Sequence, residues 1–269
     1  MCTPKKTGVS ASVFGFSGGR TMNRMKWITN ILACLMIVLS ALGAACTALV
    51  QKAFDVQFYS GMSRAAVMDT LGVTADMDVS AQTTAYIGLT DEEQNIFAEE
   101  IVAFMKGETD EQPAALNERE QQHMRDVRRL IALAQQVSKA CITLAAGLAV
   151  VIAWTGAKDK RRGLPFGVVS GALLAAAAVG GAYALMHAQG FEALFVRMHE
   201  VLFTNDLWLL NPQTDILIRM MPQLLFERAA MDVAVKAMQM LLIMWILLCA
   251  VYLIVGGMIR RNLTEREKQ

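Results

Sequence analysis

The stretch WITNILACLMIVLSALGAACTALV, at residues 27–50, carries no charged side chain. A helix rises about 1.5 Å per residue, so this stretch extends over about 36 Å, enough to cross the roughly 30 Å hydrocarbon core of a bilayer. The basic segment before it and the sequence Leu42–Cys46 also imitate a bacterial lipoprotein signal. We favour a plain membrane anchor, because a processed lipoprotein does not normally carry further spans.

Three further apolar windows follow. Of the 269 residues, 55% are hydrophobic and 18% are charged, whereas about 25% are charged in an average soluble domain. The sequence therefore predicts an all-α membrane protein with four transmembrane helices and a small helical extracytoplasmic cap. The predicted spans are residues 27–50, the second half of a long helix at 118–156, residues 164–187 and residues 238–259.

The distribution of charge predicts the orientation. Residues 1–26, 157–163 and 260–269 together hold 13 of the 25 Lys and Arg residues but only 3 of the 24 acidic residues. Short loops rich in Lys and Arg stay in the cytoplasm, so we expect both termini on the cytoplasmic side of the membrane. Residues 51–117 and 188–237 are then extracytoplasmic.

Several kinds of site lack their usual motifs. The sequence contains no CxxC pair, no GxSxG elbow, no glycine-rich phosphate loop and no HExxH. We expect no disulfide framework, no metal and no cofactor. The net charge of +1 gives no indication of a nucleic-acid partner, and we expect none. Four of the five cysteines fall in apolar spans: Cys34, Cys46, Cys141 and Cys249.

The predicted cap, residues 51–117, contains two recognisable helices. One runs from Ser63 to Leu71 and ends at Gly72, because glycine is typical of the left-handed residue after a helix. The other runs over 91–106, begins with the capping box Thr90–Glu93 and ends at Gly107. Apolar side chains on the second helix predict packing against a neighbour, so the segment is a small helical domain.

A long helix follows the cap. Asn117 and Glu120 form a second capping box, and nothing interrupts the helix from Glu118 to Trp154. That length, about 55 Å, exceeds a bilayer core, so its first turns project outside. At 100° per residue, His123 and Asp126 share one face of this extension.

The height of His123 above the membrane depends on where lipid begins. His123 lies within about 10 Å of the lipid only if the outer boundary falls near Leu130. We therefore expect the polar residues just beyond it to face the protein interior: Gln135, Gln136 and Lys139.

The segment 188–237 concentrates polar groups between two spans. A helix from Phe191 to Phe203 places Phe195, His199, Leu202 and Phe203 on one side, so His199 lies in a partly apolar wall. Burial of this kind lowers the pKa of an imidazole and keeps it neutral. The polar and aromatic residues that follow are Asn205, Asp206, Trp208 and Asp215.

Turn formers organise the rest of that segment. Trp208 lies in an apolar run between two turns and fits an anchor at the membrane interface. A short helix from Asp215 to Met221 is predicted, capped by Thr214 and stopped by Pro222.

Three stretches of sequence carry a family resemblance. They are HMRDVR at 123–128, HEVLFTNDLWLLNP at 199–212 and DILIRMMP at 215–222. Together they resemble the bacterial lipoprotein intramolecular transacylase family, Lit. The resemblance implies an enzyme of Gram-positive bacteria whose partners are membrane lipid and a diacylglyceryl lipoprotein with a free N-terminal cysteine amine. It also implies transfer of the sn-2 acyl chain onto that amine, giving the lyso form, with histidines matching His123 and His199 serving the chemistry.

The residues fit such a reaction. Aminolysis of an ester needs a base and an acid, and the amine comes from the substrate, so no enzyme nucleophile is needed. We expect His123 and His199 to face each other, in an order that the sequence leaves open. The supporting expectations are Asp126 orienting His123, Asn205 donating to the oxyanion, and Asp206 and Asp215 holding turns.

Three other functions stay open on the residues alone. A metal-dependent membrane hydrolase would use the histidines and carboxylates as ligands. A non-catalytic sensor would bind a partner through its acidic cap. A transporter component predicts ionisable residues facing each other within the spans, and Lys139 alone lies there.

Overall fold

The computed structural model describes residues 18–74, 77–158 and 166–266. Within these ranges every regular element is helical, in agreement with the predicted all-α class. The elements are α1 (Gly18–Ala53), a π-helical turn (Phe58–Met62), α2 (Ser63–Leu71), α3 (Val79–Ile87), α4 (Asp91–Lys106), α5 (Glu118–Lys158), α6 (Phe166–Gln189), α7 (Phe191–Leu202), α8 (Ile216–Met220) and α9 (Gln223–Arg266).

Three long helices, α1, α5 and α9, pack side by side, and α6 lies against α1. Three stretches of the described chain are long and apolar enough to cross a membrane: Trp27–Ala53, Glu118–Thr155 and Gln223–Leu247. The first twelve residues of α5, 118–129, carry seven charged side chains. A bilayer core does not accept such a run, so only the part of α5 beyond Arg129 fits a span.

Small side chains bring α1 and α5 together. Ser138 donates a hydrogen bond of 3.1 Å to the carbonyl of Gly43, and its hydroxyl lies 2.6 Å from that of Thr47. A Cβ on Gly43 would lie 3.0 Å from Ile142, so glycine permits this approach. Buried alanines continue the contact: Ala33, Ala44, Ala48, Ala145 and Ala149.

This packing corrects one expectation about α5. Gln136 and Lys139 are exposed and Gln135 is half-buried, whereas we expected all three to face the interior. The small Ser138 takes the interior position instead, because the close approach at Gly43 leaves no room for a long side chain.

Small residues allow α6 to pack closely against α1. Gly171 and Ala175 are buried against α1. A Cβ on Gly171 would lie 2.8 Å from the Cβ of Ile37 and 3.2 Å from the carbonyl oxygen of Cys34. The backbone of one helix therefore touches the other at this point, which glycine alone permits.

The cap helices α2 and α4 have the predicted bounds. Thr90 accepts from the backbone of Glu93 and Glu93 accepts from the backbone of Thr90, completing the predicted capping box. The helix α3 was not predicted; the Asp78 side chain caps it by accepting from Ala81. The apolar core around α4, centred on Phe97, Ile101 and Phe104, is continuous with residues of α5, α8 and α9.

Polar contacts join the cap to the long helices. Arg128 of α5 stacks over the Phe104 ring at 4.7 Å and donates to Asp110 at 2.9 Å. The buried amine of Lys52, at the end of α1, lies 3.0 Å from the carboxylate of Asp232 on α9. The Ser63 hydroxyl donates to the backbone carbonyl of Met220.

The ends of two helices differ from expectation. The helix α1 begins at Gly18, nine residues before the predicted start of the first span; residues 1–17 lie outside the described chain. The helix α9 runs unbroken from Gln223 to Arg266, past both predicted bounds of the last span. Helix-favouring residues continue through both polar flanks without Gly or Pro at the predicted boundaries, so no local signal ends either helix there.

Replacing Gly171 by alanine tests the contact between α1 and α6. We expect Gly171→Ala to destabilise the protein by about 1–3 kcal/mol, as overpacking does, and to lower Tm in detergent. Gly180→Ala on the same helix is the matched control, because nothing lies within 4 Å of a Cβ there. Equal Tm values for the two variants would contradict the packing described.

Candidate active site

The two predicted histidines lie together. His123 belongs to the second turn of α5 and His199 to the last turn of α7. Their ring centroids are 6.2 Å apart with the planes at 33°, and the residues are 6% and 7% exposed. The fold thus brings two imidazoles that are distant in sequence into one buried site, as expected.

Aromatic rings surround this pair. The Phe203 ring lies 5.1 Å from His123 and 5.4 Å from His199, so it touches both imidazoles. Phe195 and Trp208 lie 4.2 Å and 5.0 Å from His199. Leu202, which we expected in this wall, is exposed instead, because α7 ends there and Phe203 continues in an extended conformation.

A backbone hydrogen bond fixes the form of His199. Its Nδ1 lies 2.8 Å from the carbonyl oxygen of Phe195. A carbonyl oxygen only accepts, so Nδ1 carries the proton and Nε2 holds the free lone pair. Burial lowers the pKa of His199 below its ordinary value of 6.5, and the bond to Phe195 opposes part of that shift.

His123 is held neutral more strongly. It lies in the charged extension of α5, outside the part that fits a span, and its Nδ1 is buried without a partner. Burial first, and then the neighbouring His199, lower the pKa of His123 to about 4, whereas Asp126 acts in the opposite direction. Both imidazoles are therefore neutral at pH 7, and one has an unpaired nitrogen in the site.

Asp126 and Asn205 bond to each other. The Asn205 amide donates to Asp126 at 3.0 Å, and Arg129 donates to the same carboxylate at 3.1 Å. The Asn205 carbonyl oxygen accepts from the backbone of Leu207. Asp126 thus holds the loop after α7 against α5, whereas we expected it to orient His123; it acts on that ring through its charge.

Asp206 and Asp215, which we expected to hold turns, make different contacts. The exposed Asp206 contributes its backbone carbonyl, which accepts from Arg119 at 2.6 Å. Asp215 is buried and accepts from Asn211, Thr214 and Asn117. Burial alone would raise the pKa of Asp215, but these hydrogen bonds hold it below its ordinary value.

The cap of α8 differs from the prediction. Asp215, not Thr214, occupies the N-cap position of that helix. The Thr214 hydroxyl donates to the Asp215 carboxylate instead. Because that carboxylate is already committed to Asn211 and Asn117, the first backbone N–H groups of α8 need another acceptor.

Glu120 supplies that acceptor, whereas only its capping box with Asn117 was predicted. Its carboxylate accepts from the backbone of Asn117 at 2.8 Å and from the backbone of Leu217 in α8 at 2.7 Å. It is 1% exposed, and burial raises its pKa above the ordinary value. The capping box was readable in the sequence, but the bond to Leu217 spans 97 residues and leaves no local signal.

Within the described residues, no group of three or more His, Cys, Asp or Glu side chains is arranged to hold a metal ion. A metal-dependent hydrolase therefore finds no ligand set in this part of the chain. The site contains two neutral imidazoles in an aromatic wall, and such groups can accept and donate protons.

The family model for Lit, lipoprotein intramolecular transacylase, matches residues 28–226. The chain belongs to this family. It is accordingly a lipoprotein intramolecular transacylase, and the matched range contains both histidines. A comparison with curated proteins found no match.

Solved structures of Lit from Bacillus cereus, a membrane integral protein, share the fold. One aligns with a TM-score of 0.59 at 21% identity, over 89% of this chain and 99% of that chain. A variant of the same protein with one histidine replaced by arginine aligns with a TM-score of 0.57 at 21% identity, over 93% of this chain and 97% of that chain.

The low pKa of His123 predicts how stability depends on pH. Between pH 6.5 and about 4 the unfolded chain binds a proton at this residue that the folded chain does not. Stability present above pH 6.5 is therefore lost as the pH falls towards 4, by about 3 kcal/mol for this group.

Thermal unfolding in detergent between pH 4 and 7 measures this loss. His123→Gln removes the group, so we expect a shallower fall of Tm with acid than in the wild type. His187→Gln, which leaves the pair intact, is the comparison variant. An unchanged slope in His123→Gln would show that His123 titrates normally in the folded protein.

Proposed function

We propose that the protein transfers the sn-2 acyl chain of a diacylglyceryl lipoprotein onto the α-amine of its N-terminal cysteine, giving the lyso form. The approach of His123 to His199 at 6.2 Å carries this proposal. The substrate is the lipoprotein together with the acyl chains that it carries, and the proposed reaction uses no metal or cofactor.

The substrate supplies both reacting groups. The amine nitrogen forms a bond to the acyl carbon, the bond from that carbon to the glyceryl oxygen breaks, and one proton passes from nitrogen to that oxygen. Since amine and ester belong to one molecule, holding them in register replaces an encounter between two molecules. An enzyme nucleophile is unnecessary, which agrees with the missing serine and cysteine motifs.

The geometry favours one order of proton transfer. His199 carries its proton on Nδ1, so its Nε2 is free to accept the proton from the attacking amine. Burial lowers the pKa of His123 to about 4, so its protonated form is a strong acid. We assign His199 as the base that takes the amine proton. His123 receives that proton from His199 and delivers it to the departing glyceryl oxygen, so both rings are neutral again at the end of the reaction.

The neighbouring residues support the pair. Phe203 and Trp208 exclude water from it, which keeps both rings neutral. Asp126 and Asn205 hold the loop after α7 against α5. Because the Asn205 amide already donates to Asp126, we assign it to this scaffold, together with Asp206 and Asp215, in place of the oxyanion role expected earlier.

We propose four transmembrane helices, with α6 as the third and both termini in the cytoplasm. The predicted cap and the histidine pair then lie outside the cell membrane, near its surface. The exposed Leu133 on α5 supports a boundary near Leu130. Leu133 follows His123 by ten residues, about 15 Å along the helix. The histidine pair therefore lies within reach of lipid headgroups.

Mass spectrometry of a lipoprotein co-expressed with the enzyme tests this function. The wild type is expected to give the lyso form. His123→Gln and His199→Gln each remove one proton-transfer group, so we expect a loss on the order of 10²–10⁴ in rate.

His187→Gln is the matched control, since it removes the third histidine of the chain and leaves the pair intact; it should retain wild-type activity. Diacylglyceryl lipoprotein left unchanged by well-expressed wild type would refute the proposed reaction. Full activity in either of the other two variants would refute the role of that histidine.

A further inference from the structure

A buried carboxylate joins two parts of the chain that are distant in sequence. Glu120 lies in the first turn of α5, three residues before His123, which is the spacing of neighbours along one helix face. Its Oε2 accepts from the backbone of Asn117 and its Oε1 from the backbone of Leu217. The same side chain thus caps α5 and bonds the start of α8.

A second bridge runs beside the first. The Asn117 amide donates to Asp215 at 2.9 Å, and Asp215 accepts from the backbone of Asn211 at 2.7 Å. Asp215 and Leu217 are therefore bonded to the start of α5, and Asn211 is tied to it through Asp215. This segment comes directly after Trp208, whose ring packs on His199.

The capping box at Thr90 and Glu93 shows which contacts of Glu120 belong to capping alone. Thr90 and Glu93 make the same reciprocal bonds at the start of α4, but Glu93 is exposed and bonds nothing beyond its own cap. Capping therefore does not require burial. Glu120 differs from Glu93 in two ways: it is buried, and it accepts a hydrogen bond from Leu217. Because burying a carboxylate is costly unless its oxygens are hydrogen-bonded, the bond to Leu217 accompanies the burial.

We propose that Glu120 is a positioning residue for the acyl transfer. It holds the segment that follows Trp208 against α5, so that the aromatic wall closes over the pair and His123 keeps its distance to His199. This assignment rests on the proposed function, and it concerns how the two imidazoles are placed, not their chemistry.

Glu120→Gln tests the assignment. Glutamine has the same shape but offers one acceptor oxygen, so it cannot serve both Asn117 and Leu217. We expect kcat to fall on the order of 10- to 100-fold, the effect of a small misplacement at a reacting centre, while KM stays near the wild-type value. Glu93→Gln, the matched control, should keep the wild-type kcat.

A second readout separates positioning from a general loss of stability. If the wall opens, water reaches His199 and its pKa rises towards the ordinary value. In ¹⁵N NMR of the imidazoles, His199 of Glu120→Gln should then titrate at higher pH than in the wild type or Glu93→Gln. A folded Glu120→Gln with wild-type kcat and wild-type titration would overturn the assignment.

The NMR titration also keeps the two proposals apart. If the wild type makes no lyso-form lipoprotein, the proposed function fails, whereas the titration of His199 still decides the placement by Glu120. If Glu120→Gln does not fold, Asp215→Asn weakens the second bridge and is expected to raise the titration pH of His199 in the same way. An unchanged titration in that variant would count against the assignment.

Discussion

The site depends on keeping two imidazoles neutral and close together in a place with little water. Each ring loses hydration on burial, and His123 has a buried nitrogen with no partner in the structure. Such an arrangement is costly unless the surrounding fold is well packed. The aromatic ring of Phe203, in contact with both imidazoles, and the Phe195 carbonyl on His199 are the interactions that stabilise it.

The rest of the structure supplies the rigidity that this arrangement needs. The helices α1, α5 and α9 form the apolar body, and α6 lies against α1. Gly43 permits the close approach of α1 to α5, and Gly171 that of α6 to α1. The charged extension of α5 carries His123 and also receives the loop after α7 through Asp126, Arg119 and Glu120. The helix α5 therefore carries one histidine of the pair and also the residues that hold the loop next to the other histidine, His199.

Local rules predicted much of this fold. Hydrophobic length gave the long helices, and capping boxes with terminal glycines gave the bounds of α2, α4 and the start of α5. The stretches that begin at His123 and His199 predicted both histidines of the site. What sequence could not give were bonds between distant residues: Asp126 with Asn205, and Glu120 with Leu217. The true ends of α1 and α9 were also missed, because charged residues form helices as readily as apolar ones.

The central claim is that the pair moves a proton while the substrate itself supplies both amine and ester. A crossover experiment tests it most directly: a diacylglyceryl lipopeptide with deuterated acyl chains is mixed with an unlabelled one of different peptide mass, and the purified enzyme is added. Mass spectrometry should find that every lyso-form product carries only the chains of its own parent. Deuterated chains on the unlabelled peptide would contradict the account, since they require transfer between molecules or an acyl-enzyme.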